Sequence, residues 1–238
     1  MKKKLILLLL IANLGLGVQS FAITQDELNA QVDEAALNRD IRKLLSLAGK
    51  YPNDKILLIT IGWFYANEGN SSEAKKWYLK AIEKGNYNAI SNLAYVYFEK
   101  GEYEKAIKYY KEYQKIADNT DNYYWIAAAY DELEDYKNAK EWYLKVAKFE
   151  KDGFSENKLG VMYEEEGNQK EALKWYQASV QKGYPWAYYN LTSFYAGLGD
   201  SETAEKWLKK GMEVAKKTDD EELKKYLQEA LDVIQKAK

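Results

Sequence analysis

The chain has 238 residues, 47% of them hydrophobic and 30% charged, with 14 Gly, 2 Pro and neither Cys nor His. That is enough apolar material for a core, and so few breakers in so long a chain favour helix. Without Cys and His there is no disulfide, thiolate metal site, cysteine nucleophile, Ser-His-Asp triad or His-ligated zinc. The balance of 35 basic against 37 acidic residues gives no electrostatic reason to bind nucleic acid, which needs a basic face.

Residues 1–22 read as a cleaved secretory signal. Lys2, Lys3 and Lys4 precede an apolar run from Leu5 to Val18, and Gln19-Ser20-Phe21-Ala22 ends in a small-x-small pattern. The run is short of the ~20 residues that span a bilayer, so cleavage after Ala22 is expected over an uncleaved anchor. Removing these residues takes away three Lys and no acid, leaving 32 basic against 37 acidic residues, a net charge of about −5. The mature chain is expected to be exported, periplasmic or secreted, and bacterial by the style of the signal.

Residues 23–54 read as an N-terminal helical cap or a degenerate repeat, helical over Asp26–Gly49. From residue 55 a periodicity appears. Tyr65, Tyr97, Tyr130, Tyr163 and Tyr195 are separated by 32, 33, 33 and 32 residues. Nine residues after each stands Ala74, Ala106, Ala139, Ala172 or Ala204, and three further on Trp77, Tyr109, Trp142, Trp175 or Trp207. The next residue is Tyr78, Tyr110, Tyr143, Tyr176 or Leu208. Three residues before each Tyr the side chain is small: Gly62, Ala94, Ala127, Gly160 and Thr192. Four after it comes Gly69, Gly101, Gly167 or Gly199, with Glu134 breaking the column. A period of this size means stacked units. Apolar spacings of 3 and 4 up to the Tyr, a Gly stop and an Asn, Ser, Asp or Glu start give two helices per repeat. Small residues let the paired axes approach closely. One hairpin cannot bury both faces, so neighbours must stack. Thr218–Ala237 then reads as a capping helix, with Leu223, Tyr226, Leu227, Ala230, Leu231 and Ile234 in one stripe. The division is therefore 1–22 signal, 23–54 cap, 55–217 five repeats and 218–238 capping helix.

These columns resemble the tetratricopeptide repeat. Two junctions, Trp77–Ala89 and Trp175–Ala187, are closer to the related Sel1-like repeat, and the chain is similar to a hybrid of the two. The resemblance covers about residues 55–214. It implies an all-α, right-handed α-solenoid of about five helix-turn-helix repeats, with N-terminal helices and a C-terminal capping helix. It is specific for fold and not for function.

In such an architecture the first helices line a concave groove. The register places Trp63, Asn92, Tyr95, Tyr124, Trp125, Asn157, Lys158, Tyr189 and Asn190 on that face, with an acidic lip at Asp131, Glu132, Glu164 and Glu165. Aromatics that stay exposed suit recognition of a peptide or a sugar. The alternative is that Asn92 and Asn190 brace neighbouring helices and Tyr95 and Trp63 only pack. Lys158 with Asn157 and Asn190 is also weighed as a clamp for a peptide carboxylate. The expected function is an exported, non-catalytic scaffold binding a protein or peptide of the cell envelope. It carries no cofactor or metal, binds no nucleic acid and has no membrane span after signal cleavage. The alternatives are a peptidoglycan-binding or -cleaving protein and self-association through the solenoid ends.

Overall fold

A computed structural model describes residues 23–117 and 120–236. The signal reading of residues 1–22 lies outside them. Every regular element among the described residues is an α-helix, as the scarcity of Pro and Gly predicts. No helix among them is long and apolar enough to cross a membrane. The chain forms two compact units that divide after Asn86, a boundary inside the stretch read as one unbroken array.

The first unit contains α1 (Gln25–Leu37), α2 (Ile41–Lys50), α3 (Lys55–Asn67) and α4 (Ser71–Glu83). The stretch read as helical over 26–49 forms two helices. Arg39 adopts φ 54° and ends α1, and Asp40 restarts the chain by accepting from the Lys43 N–H at 3.0 Å. Thr24 opens α1 with a reciprocal capping box to Glu27. Leu28, Val32, Leu44, Leu47, Leu57 and Ile61 form the core of this unit.

The second unit contains α5 (Asn88–Glu99), α6 (Tyr103–Gln114), α7 (Asp121–Glu132), α8 (Tyr136–Val146), α9 (Phe154–Glu165), α10 (Gln169–Gln181), α11 (Trp186–Gly197), α12 (Ser201–Thr218) and α13 (Glu221–Lys236). Helix pairs succeed one another as in a solenoid of repeats. Asn70, Asp135, Asn168 and Asp200 each cap the second helix of a pair with a side-chain oxygen. Glu102, at the matching position, makes no such bond and pairs with Lys105 instead. Asp220 caps α13 through the Leu223 N–H at 2.9 Å, and Leu223, Leu227 and Ile234 bury its apolar stripe.

The break in the Gly column is conformationally faithful. Glu134 takes φ 58°, beside 70° at Gly101 and 74° at Gly167. The turn dictates a left-handed residue whichever side chain is present. The fully buried aromatic column is Tyr78, Tyr110, Tyr143 and Tyr176, each at most 2% exposed. The Tyr residues that mark the period are only half-buried. Tyr97, Tyr130 and Tyr163 each lie under a lysine ammonium, from Lys105, Lys111 and Lys140.

Candidate functional site

The first helices of the second unit carry aromatic residues along their length, and several of these meet across repeats. Tyr95 on α5 packs edge-on against Trp125 on α7, ring centroids 4.9 Å apart. Phe98, one turn on, reaches the same indole at 5.2 Å. Tyr124 lies 5.1 Å from Trp125 and 5.6 Å from Phe154 at the start of α9. Phe154 in turn meets Tyr184, in the turn before α11, at 5.6 Å. Five rings thus form one edge-to-face ladder from Tyr95 to Tyr184, an arrangement aromatic quadrupoles favour. The ladder is not sealed. Tyr95 is 39% exposed, and Tyr124, Trp125, Phe154 and Tyr184 are half-buried. Burial pushes the phenols of Tyr95, Tyr124 and Tyr184 above their ordinary value.

The remaining expected groove residues fall into three places. Asn157, 8% exposed, accepts from Asn190 Nδ2 at 2.7 Å, a bond between α9 and α11. Lys158 Nζ donates to Asp131 Oδ2 at 2.7 Å, joining α9 to α7. Each of the groups weighed for a carboxylate clamp thus already has a partner within the protein. Asn92 is half-buried on α5. Its neighbour Ser91 donates to Asn122 at 2.9 Å, a second polar tie between consecutive first helices. Tyr189 joins a separate cluster with Trp186, 6.3 Å away, and with Tyr226 of α13 at 5.7 Å. Trp63 belongs to the first unit, where it is 53% exposed on α3 beside Ile56, 41% exposed.

Charge is segregated between the two helix classes of the second unit. Among first helices, α5 carries −1, α7 −3, α9 −2 and α11 none, which makes −6. Among second helices, α6 carries +1, α8 +2, α10 +1 and α12 +2, which makes +6. Asp131, Glu132, Glu164 and Glu165 sit in last helical turns, where the helix dipole opposes negative charge. Some find partners: Glu132 accepts from the Tyr103 hydroxyl at 3.0 Å, and Glu164 from Tyr176 at 2.6 Å.

At the Tyr184 end of the ladder a cavity of about 540 Å³ opens between the starts of α7 and α9. Tyr124, Phe149, Phe154 and Tyr184 wall it, with Glu150 and Asp152 from the turn before α9. Sequence register placed Tyr95, Tyr124 and Trp125 on the expected groove face, and the structure brings their rings into contact; register gave no warning of Phe149, Glu150, Asp152 and Tyr184. They lie in connections, where helical periodicity says nothing about direction. The available cue was an aromatic-acidic stretch, Phe149-Glu150-Lys151-Asp152-Gly153, between two helices.

Family models described as tetratricopeptide repeat match residues 57–83, 87–120, 120–152 and 187–218, together about half of the chain. Both name that family, and the Sel1-like likeness remains one of sequence alone. No curated protein matches the chain. Among solved structures the fold is similar to that of Pseudomonas aeruginosa PilF, at 14% identity and TM-score 0.65 over 85% of this chain and 97% of that one. YrrB, described as a tetratricopeptide-repeat protein with an unusual peptide-binding site, is 21% identical with TM-score 0.60 over 78% and 97%. MamA from Desulfovibrio magneticus RS-1 is 19% identical with TM-score 0.58 over 66% and 93%. At such identities the likeness is one of fold.

Proposed function

We propose that this chain, which belongs to the tetratricopeptide-repeat family, is an exported, non-catalytic scaffold that binds a peptide or protein along the first helices of its second unit. A repeat fold of this kind serves protein interaction, and the finer reading rests on one observation. The rings of Tyr95, Trp125, Tyr124, Phe154 and Tyr184 form a continuous ladder that is only half-covered. Rigid, partly exposed aromatics on successive helices give contact area with little side-chain entropy to lose, which is what an interaction hot spot needs. Repeat solenoids present such a face as an extended surface for a partner.

Export rests on the Lys2–Lys4 start, the apolar run and Ser20-Phe21-Ala22, and it puts the partner in the cell envelope or outside the cell. Self-association through the ends of the array is a further arrangement open to a repeat protein. The test is a cross-linked capture from envelope extract with the purified protein, beside a Tyr95→Ala, Trp125→Ala variant shown to be folded by circular dichroism. Loss of a captured protein with the variant is the expected result. Equal capture by both overturns the ladder as the binding face. Sedimentation of both with cell wall, without captured protein, favours the peptidoglycan reading.

A further inference from the structure

We infer that the cavity at the Tyr184 end of the ladder is a pocket for one cationic side chain, Lys or Arg, of the bound peptide. The inference rests on the groove reading above and adds the chemistry of the residue recognised.

Three observations converge. First, the walls are aromatic: Tyr124, Phe149, Phe154 and Tyr184 face about 540 Å³ of space, within the size range of sites that take a small group. Ring faces attract a cation brought within about 6 Å of their centres, and more so when water is excluded. Second, the cavity holds two carboxyls, Glu150 and Asp152, that form no ion pair among the described residues, although the Lys182 ammonium is near enough to help hold Asp152 ionised. The carboxyls of Glu150 and Asp152 hydrogen-bond to each other. Burial, with that bond, raises Glu150, and the bond holds Asp152 below the usual carboxylate range. Their other partners are backbone N–H groups: Ser155 N–H donates to Glu150 at 2.9 Å and Phe154 N–H to Asp152 at 3.0 Å. The neighbouring ammonium, Lys182, pairs with the buried Glu156 and donates to the Ala147 and Glu150 carbonyls at 3.0 and 2.6 Å. Third, the pocket is bounded by the starts of first helices, a class that carries −6 against +6 on the second helices, with Asp121 at the pocket itself and Asp131, Glu132, Glu164 and Glu165 in the last turns, away from it. That field draws a cation to this face and repels a carboxylate.

The same chemistry selects among cations. A hard divalent ion takes six to eight oxygens, and ring faces supply none. An ammonium or guanidinium on an aliphatic stem fits aromatic walls and an acidic rim together. A side chain of a longer ligand is favoured over a free amine by continuity: Tyr124 and Phe154 belong both to the pocket and to the ladder. A peptide lying on the ladder therefore brings a residue to the pocket mouth.

The test is an array of blocked decapeptides, acetylated and amidated, with random flanks and a central Arg, Lys, citrulline or norleucine. It is probed with the purified protein and with a Glu150→Gln, Asp152→Asn variant. Both replacements keep an oxygen acceptor for the Ser155 and Phe154 N–H groups, and circular dichroism checks the fold. Binding of Arg or Lys peptides at least tenfold tighter than their citrulline or norleucine counterparts, lost in the variant, is the expected result. Arg over Lys would indicate stacking of a planar cation, and the reverse a point charge; either supports the pocket. Peptide binding with no preference for a cation, or unchanged in the variant, overturns the pocket and leaves the groove standing. No binding by any peptide overturns both.

Discussion

Gly160→Ala should destabilise the second unit, although the same exchange in an open helix stabilises. A Cβ built on Gly160 lies 2.4 Å from Cδ1, 2.5 Å from Cε1 and 2.9 Å from Cγ of Tyr176. Carbon atoms settle at about 3.5–4.0 Å, so the ring or α9 must retreat by roughly 1 Å. The ring has little room: Tyr176 is 1% exposed, its hydroxyl is held by Glu164 at 2.6 Å, and the Phe194 ring stands 6.1 Å away. Overpacking of a closed core costs about 1–3 kcal/mol. Helix propensity returns about 1 kcal/mol for Gly to Ala. The net loss is about 0–2 kcal/mol, centred near 1, or a few degrees in melting temperature for a chain of this size. Urea and thermal unfolding followed by circular dichroism measure it. Gly197→Ala is the control, because its added methyl meets nothing within 4 Å, and it should be at least as stable as the parent. In a double variant with Tyr176→Leu, the loss should be smaller than the sum of the two singles. Gly160→Ala more stable than the parent would refute the steric argument. Ala94 and Ala127 occupy the same column opposite Tyr110 and Tyr143, so the effect belongs to the position of the Tyr176 ring and not to the residue type.

Glu134→Gly should gain about 1 kcal/mol, because φ 58° strains a residue with a Cβ; unchanged urea unfolding would sink that account. Lys182→Met strands the carboxylate of Glu156, which is 4% exposed, and removes two bonds to carbonyls. A loss of about 3 kcal/mol is expected, and one below about 1 kcal/mol would mean the site relaxes. The phenols of Tyr78, Tyr110, Tyr143 and Tyr176 are pushed up by burial, and that of Tyr176 also by its bond to Glu164. In the unfolded chain they titrate near 10. Their raised values therefore contribute stability that is complete below about pH 10 and lost as pH climbs above it. Alkaline titration should show these four ionising together with loss of helical dichroism. Ionisation of all 22 tyrosines with the helices intact would contradict the burial.

The helices, their order and the repeat were legible in the sequence because each is set locally. Small residues at Gly62, Ala94, Ala127 and Gly160, Asn or Asp caps and Gly stops act within one hairpin, and the spacing of 32 or 33 repeats them. The N-terminal helices were legible too, but not where they divide, since a single left-handed residue at Arg39 leaves no mark on an apolar pattern. The site divides the same way. Register placed Tyr95, Tyr124 and Trp125 on one expected face, and their rings do touch. It could not say that Lys158 is committed to Asp131, that Asn190 is bonded to Asn157, or that Tyr189 turns to Tyr226 instead. Those partners lie 27, 33 and 37 residues apart and meet only when hairpins stack. The pocket is further still from sequence, because Phe149, Glu150, Asp152 and Tyr184 are in connections whose direction is fixed by the helices they join. Local chemistry determined the repeat unit. Stacking decided which of its aromatics and carboxylates remain open to a partner, because burial and pairing are properties of neighbours that the chain brings together only on folding.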